Sequence, residues 1–149
     1  MDDKYTLVTT KEVSTTPDKI WSAWTDPEKV AKWWGPAGFK STVEELDVRD
    51  GGMFRVIMHG PDGTDYPNVY IFNKVTRPNQ FIYTNQGSKQ FGLAPFQSVF
   101  DIEQIEGRTK LTLKIRFVSE TEKDKHIKQF HADEGSRQLL ERLVEQAEK

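Results

Sequence analysis

The sequence predicts an α+β domain in which a curved antiparallel sheet of about seven strands wraps around a long C-terminal helix. Three observations predict it. A first strand leads into two short, Trp-bearing helices; about six strands follow, joined by hairpin-type turns; and one amphipathic helix closes the chain.

Tyr5 to Val13, rich in Thr and Val, reads as the first strand. Ser14-Thr15-Thr16-Pro17-Asp18 is a helix start, with Thr16 able to cap free N–H groups and Pro17 suited to the first helical position. Ile20, Trp21 and Trp24 recur at helical spacing. Thr25-Asp26-Pro27-Glu28 repeats the start signal for a second short helix carrying Val30 and Trp33, which Gly35-Pro36 ends. Strands are then expected at Thr42 to Val48, Met53 to His59, Tyr70 to Val75, Phe81 to Thr84, Phe96 to Ile105 and Lys110 to Phe117. Asp50-Gly51-Gly52, Gly60-Pro61-Asp62-Gly63, Arg77-Pro78-Asn79 and Glu106-Gly107 mark turns between them. Leu111, Leu113, Ile115 and Phe117 alternate with Thr112, Lys114 and Arg116, so one sheet face is apolar and the other wet.

Ser119 or Thr121 caps the closing helix. Its apolar stripe is Ile127, Phe130, Leu139, Leu143, Val144 and Ala147, with Leu140 near the edge and Glu141, Arg142 and Glu145 facing water. A run of about 25 residues would span roughly 37 Å, enough to cross a whole sheet. A sequential meander of this size twists and curls. Where a helix lies across its concave face and the two diverge, a cavity is the natural result.

Composition bounds the function. The 149 residues fit one domain, 1–149, that buries roughly 70% of its unfolded surface. Four Trp and nine Phe suffice to line a cavity as well as fill a core. With 21 basic and 23 acidic residues there is no basic excess for nucleic acid or for anionic membranes. Cysteine is absent, which excludes disulfides, thiol catalysis and thiolate metal sites. No signal peptide and no membrane-spanning run is read, and a cytoplasmic location is expected.

Several segments together resemble the family related to the activator of the heat-shock-protein-90 ATPase, within the START-like, birch-pollen-allergen-like, polyketide-cyclase-like (SRPBCC) superfamily. They are Ile20-Trp21-Ser22-Ala23-Trp24-Thr25-Asp26-Pro27-Glu28, Trp33-Trp34-Gly35-Pro36-Ala37-Gly38-Phe39, and Asp47-Val48-Arg49-Asp50-Gly51-Gly52. Met58-His59-Gly60-Pro61-Asp62-Gly63-Thr64-Asp65-Tyr66 and Glu134-Gly135-Ser136-Arg137-Gln138-Leu139-Leu140-Glu141-Arg142-Leu143 complete them. The resemblance implies a helix-grip fold with a hydrophobic internal cavity. It implies binding of lipids, sterols or polyketide-like aromatics, in some members with cyclisation or dehydration, and by name a chaperone contact in stress response. This sequence departs at Ser136, where relatives often carry Trp, and in the short Asn68-Val69-Tyr70 stretch; both bear on pocket shape.

The expected partner is a small apolar molecule held without a cofactor or metal, by a monomer or weak dimer. The expected lining is Trp34, Phe39, Phe54, Tyr70, Phe100, Phe130, Gly135 and Leu139. Trp33 and Trp34 point about 100° apart, so one is expected in the core and the other either at the pocket mouth or packed under the Gly35-Pro36 turn. Gly135 interrupts a good helix, which suggests that a side chain there would intrude on sheet or pocket. For a cyclase- or hydratase-type enzyme the candidates are Arg55 or His59 with Asp47 or Asp65. Against them, Arg55 and His59 share the strand parity opposite Phe54, Val56 and Met58, the wet parity. His126 and His131, five apart on a helix, are poorly spaced for one metal.

Overall fold

The computed structural model describes residues 3–149. Seven strands, β1 (Thr6–Val13), β2 (Lys40–Leu46), β3 (Met53–His59), β4 (Asp65–Thr76), β5 (Gln80–Asn85), β6 (Phe96–Ile105) and β7 (Arg108–Arg116), form one sheet. Its order is β1-β7-β6-β5-β4-β3-β2, and every neighbouring pair is antiparallel. Register shifts between Val43 and Glu45 in β2 and between Phe72 and Lys74 in β4 are bulges, which bend strands and help the sheet curl. The fold is the α+β helix grip that the element order predicts.

β4 starts at Asp65, five residues before the expected Tyr70, and runs through Pro67. Pairing with β5 begins only at Tyr70, so residues 65–69 have β3 alone as their strand neighbour, and a proline is accommodated on such an edge.

Helices α1 (Pro17–Thr25) and α2 (Pro27–Trp33) follow β1. Thr16 Oγ1 accepts the Lys19 N–H at 3.3 Å and Asp26 Oδ1 accepts that of Glu28 at 3.0 Å, each just before a proline at the first helical position. The pair brings three fully buried or nearly buried tryptophans, Trp21, Trp24 and Trp33, to one end of the concave face. Trp24 stacks on Phe81 at 4.3 Å and meets Trp33, Trp34, Phe72, Tyr83 and Phe100 through edges or tilted faces. The Trp33 indole N–H donates to the Ala23 carbonyl at 2.9 Å. This end of the grip is solid.

The closing helix is not continuous. α3 (Glu120–Phe130) and α4 (Ala132–Ala147) meet at His131, which holds φ 53 and ψ 45, a left-handed conformation uncommon outside glycine. Its N–H still donates to Ile127 and its carbonyl accepts from Gly135, so the chain turns with these backbone groups paired. The break lets the two segments bury different faces. α3 reaches Phe96 and Phe117 through His126, while α4 packs against α1 and α2. Between two helices α4 buries a wider face than one stripe; Leu140, placed at the stripe's edge by periodicity, is 1% exposed.

Candidate functional site

The other end of the concave face is hollow. A cavity of about 450 Å³ lies between sheet and helices. Its floor is Tyr70, Tyr83, Phe96, Ser98, Leu113 and Ile115, inward-facing residues of β4 to β7. Its roof is His126 and Phe130 of α3 with Ala132, Gly135, Ser136 and Leu139 of α4. Trp34 walls the end that abuts the Trp24 cluster, and Gly35, Pro36, Phe39, Met58 and Tyr66 complete the sides. Exposed residues on the lining, Pro61, Asp62, Gln129 and His131, place the mouth between the β3–β4 turn and the α3–α4 break. A shallower depression of about 280 Å³ adjoins it there, sharing Pro36, Phe39, Phe130, His131 and Gly135. Tyr66 stacks on Phe91 at 4.9 Å, and both meet Phe130 edge-on at 6.4 Å, so the side near the mouth is aromatic.

One residue read as solvent-facing holds the Trp34 wall. Arg142 of α4 folds back onto the segment after α2. Its guanidinium donates to the carbonyls of Lys32 (2.7 Å), Gly35 (2.9 Å), Pro36 (2.9 Å), Phe39 (3.1 Å) and, at the limit, Trp34 (3.4 Å). Burial lowers its pKa from the usual arginine value, partly offset by Glu145. The Gln138 side-chain oxygen also accepts the Ala37 N–H at 3.0 Å. The segment 91–95 is tied down from α3: Glu122 accepts the Ala94 N–H at 3.1 Å, and Lys125 Nζ donates to the Gly92 carbonyl at 2.8 Å. The Ala94 N–H, then Lys125, hold the Glu122 carboxyl below its usual range.

The polar groups inside are neutral. Burial pushes the Tyr70 phenol up to about 12, with a hydrogen bond to Asn85 opposing it. Burial, then Tyr70 itself, pushes Tyr83 higher still, opposed by its bond to Ser98. Ser136 Oγ donates back to the Ala132 carbonyl at 2.7 Å. His126 is buried in the roof, and burial lowers its pKa from 6.5.

Of the residues expected at a pocket, Trp34, Phe39, Tyr70, Phe130, Gly135 and Leu139 line the cavity. Phe54 and Phe100 do not. Both have no exposed surface and pack one layer back, Phe54 beneath Trp34 and Tyr70, Phe100 against Trp24 and Phe81. Trp34 is the cavity-facing member of its pair and Trp33 the core member. A Cβ built on Gly135 would meet Pro36, itself a lining residue, at 3.5 and 3.8 Å, which are ordinary contacts.

The four polar candidates are elsewhere. Arg55 pairs with Glu45 at 3.1 Å and Glu44 at 3.6 Å, and Asp47 with Arg49 at 2.8 Å. His59 Nδ1 meets Asp65 at 2.7 Å and its Nε2 meets Thr42 at 2.7 Å. These side chains are 38–68% exposed wherever the ion pairs include Arg49, Arg55, Asp47, His59 or Asp65, and none lines the cavity. Sequence reasoning missed Tyr83, Ser98, Ile115, His126 and Ser136; the signal for the strand residues was their parity with Leu113 and Phe81. Among the described residues no group of three or more His, Asp or Glu gathers to hold a metal, and no helix is long and apolar enough to cross a membrane.

A curled antiparallel sheet closed by C-terminal helices over an apolar hollow defines a helix-grip, START-like domain, a class of fold that commonly binds hydrophobic ligands. The chain belongs to the family described as Activator of Hsp90 ATPase homolog 1-like protein, whose model matches residues 14–148. A solution structure from Arthrobacter aurescens superposes with a TM-score of 0.88 at 24% identity, covering 99% of this chain and 89% of that one. A crystal structure from Mycobacterium smegmatis gives 0.81 at 26% identity, covering 95% and 89%. The AHSA1 protein from Silicibacter pomeroyi gives 0.73 at 22%, covering 93% and 94%. Among curated proteins none matches.

Proposed function

We propose that this protein binds a small, largely apolar molecule, with an aromatic or polyketide-like body, in the cavity beneath α3 and α4. The observation that carries the reading is the hollow itself. About 450 Å³ walled mainly by aromatic and aliphatic side chains is far more than packing imperfection leaves, and falls in the range of small-molecule sites. Burying about 250 Å² of ligand apolar surface there contributes roughly 6 kcal/mol before association costs. A ligand of this class therefore binds in the micromolar range or tighter only if polar groups add to that term.

Chemical-shift mapping with a panel of flavonoids, fatty acids and sterols tests the reading. Shifts confined to Trp34, Tyr70, Tyr83, Leu113, Phe130 and Leu139 are expected. A panel that moves none of them removes the proposal. Native mass spectrometry of freshly purified protein gives the identity of a retained guest.

A cyclase- or hydratase-type reaction needs a polar pair beside the substrate. The groups so placed are Tyr70, Tyr83, Ser98 and His126, and any catalytic role falls to them before Arg55, Asp47, His59 or Asp65. A chaperone contact needs an exposed apolar patch of several hundred Å². Among the described residues the large exposed apolar side chains are Tyr5, Val8 and Val118, too few to favour that reading.

A further inference from the structure

Two phenols and a serine make up the polar part of the cavity floor. Tyr83 of β5 stands opposite Ser98 of β6, and Tyr70 of β4 stands opposite Asn85 of β5; all four are buried. Tyr70, Tyr83 and Ser98 line the cavity. The two phenol rings meet edge to face at 5.6 Å. Their flanks are taken: Tyr83 packs against Trp24 and Phe72, Tyr70 against Phe54, and Trp34 meets both. The hydroxyl ends are what the rings have left to turn to the hollow. Ser98 marks the same surface. An inward-facing serine has only a β-carbon and a hydroxyl to show, so its place in the lining brings its oxygen, beside Tyr83, to the cavity. His126 Nε2, Thr15 Oγ1 and Trp24 Nε1 are closed to water and unpartnered; the oxygens of Tyr70, Tyr83 and Ser98 are not among such atoms.

Each phenol oxygen accepts a hydrogen bond and keeps its own proton. Ser98 opposes the rise in the Tyr83 pKa, and Asn85 that of Tyr70, as a group donating to the oxygen does. Asn85 has the donor to give. Its Oδ1 takes the Gly87 N–H at 2.7 Å, one side-chain N–H goes to Asn68 at 2.9 Å, and the second remains. Burial holds both phenols protonated. The floor thus carries two O–H donors still to be paired, and a buried donor left unpaired costs free energy that a ligand oxygen recovers.

We propose that Tyr70 and Tyr83 set the ligand's class: a neutral, largely apolar molecule carrying a carbonyl group, whose oxygen accepts from these phenols. The inference rests on the cavity being a ligand site and adds the ligand's polar group. A bare hydrocarbon leaves the donors unpaired. A carboxylate would accept as well, but among the described residues no lysine or arginine lines the cavity to offset the loss of its hydration.

The test compares acetylnaphthalene, ethylnaphthalene and naphthoate by calorimetry and by shifts at Leu113 and Leu139. It uses the native protein and the double variant Tyr70→Phe/Tyr83→Phe, which removes two oxygens and leaves both rings. The double variant is expected to bind the ketone about tenfold more weakly and the hydrocarbon no more weakly. Naphthoate is expected to bind the native protein less tightly than the ketone does. The ketone's carbonyl carbon adds an NMR signature that needs no variant: bound to the native protein it moves downfield of its position in hexane, as a hydrogen-bonded carbonyl does. A ketone affinity unchanged in the double variant, an equal loss for the hydrocarbon, tighter binding of naphthoate, or a bound carbonyl resonance at its hexane position overturns the inference and leaves the apolar site standing. Failure of all three probes to move the cavity residues overturns both.

Discussion

Removing the Arg142 guanidinium is expected to loosen the wall of the cavity that carries Trp34. Two of its nitrogens serve five carbonyls, four of them within 3.1 Å. A hydrogen bond from a charged donor contributes about 1.5–3 kcal/mol when buried. Here the side chain is only partly buried, the donors are shared, and freed carbonyls regain water, so the sum falls well short of four independent bonds. For Arg142→Met, which keeps the aliphatic stem, a loss of about 3 kcal/mol is expected. In a domain of this size that lowers the melting temperature by roughly 6–12 °C. Arg142→Lys keeps the charge but not the planar fork, and should recover about a third of the loss. Urea unfolding followed by tryptophan fluorescence measures both, and ligand titration should show weaker binding in the methionine variant. A loss below about 1 kcal/mol, or full recovery by lysine, would refute the idea that fork geometry positions the Trp34 segment.

Gly135→Ala should raise stability by up to about 1 kcal/mol, since its methyl meets Pro36 only at ordinary contact distance and relieves a helical glycine; denaturant midpoints check it. Ser136→Trp puts a large ring into the roof and should abolish binding of an apolar ligand in the cavity without unfolding the sheet, read by shift mapping and circular dichroism. Trp24→Ala opens the solid end of the grip and should cost about 3–5 kcal/mol, measured by chemical denaturation. His126 gives a pH signature. Its folded pKa lies below 6.5, so in the interval beneath 6.5 the unfolded chain binds the extra proton and stability falls as the pH drops. Melting temperatures should therefore decline from pH 6.5 toward about 5, above the carboxylate range, and the decline should be smaller in His126→Phe.

The sequence by itself determined what repeats or is chemically local. Alternation in Leu111-Thr112-Leu113-Lys114-Ile115 set the inward face of β7; Thr16-Pro17 and Asp26-Pro27 set the helix starts; the parity of Arg55 and His59 already pointed them at water. The family-like segments held enough of the chain to give the helix grip. Only the tertiary structure decided where the interior is full and where it is hollow. Phe54 and Phe100 share the inward parity of Tyr70 and Tyr83, yet Phe54 lies behind Trp34 and Tyr70 and Phe100 against Trp24, rather than under the α3–α4 roof. Parity reports which face a side chain takes, not which helix covers it. The same limit hid the kink at His131, where a single non-glycine residue turns left-handed with no Pro or Gly beside it to signal a break, and the fold-back of Arg142, whose partners are carbonyls about a hundred residues away. An unpartnered nitrogen on His126 is likewise a property of three dimensions: its cost arises from the phenyl rings that exclude water from it, and those come from β6, from the segment after β7 and from the far end of α3.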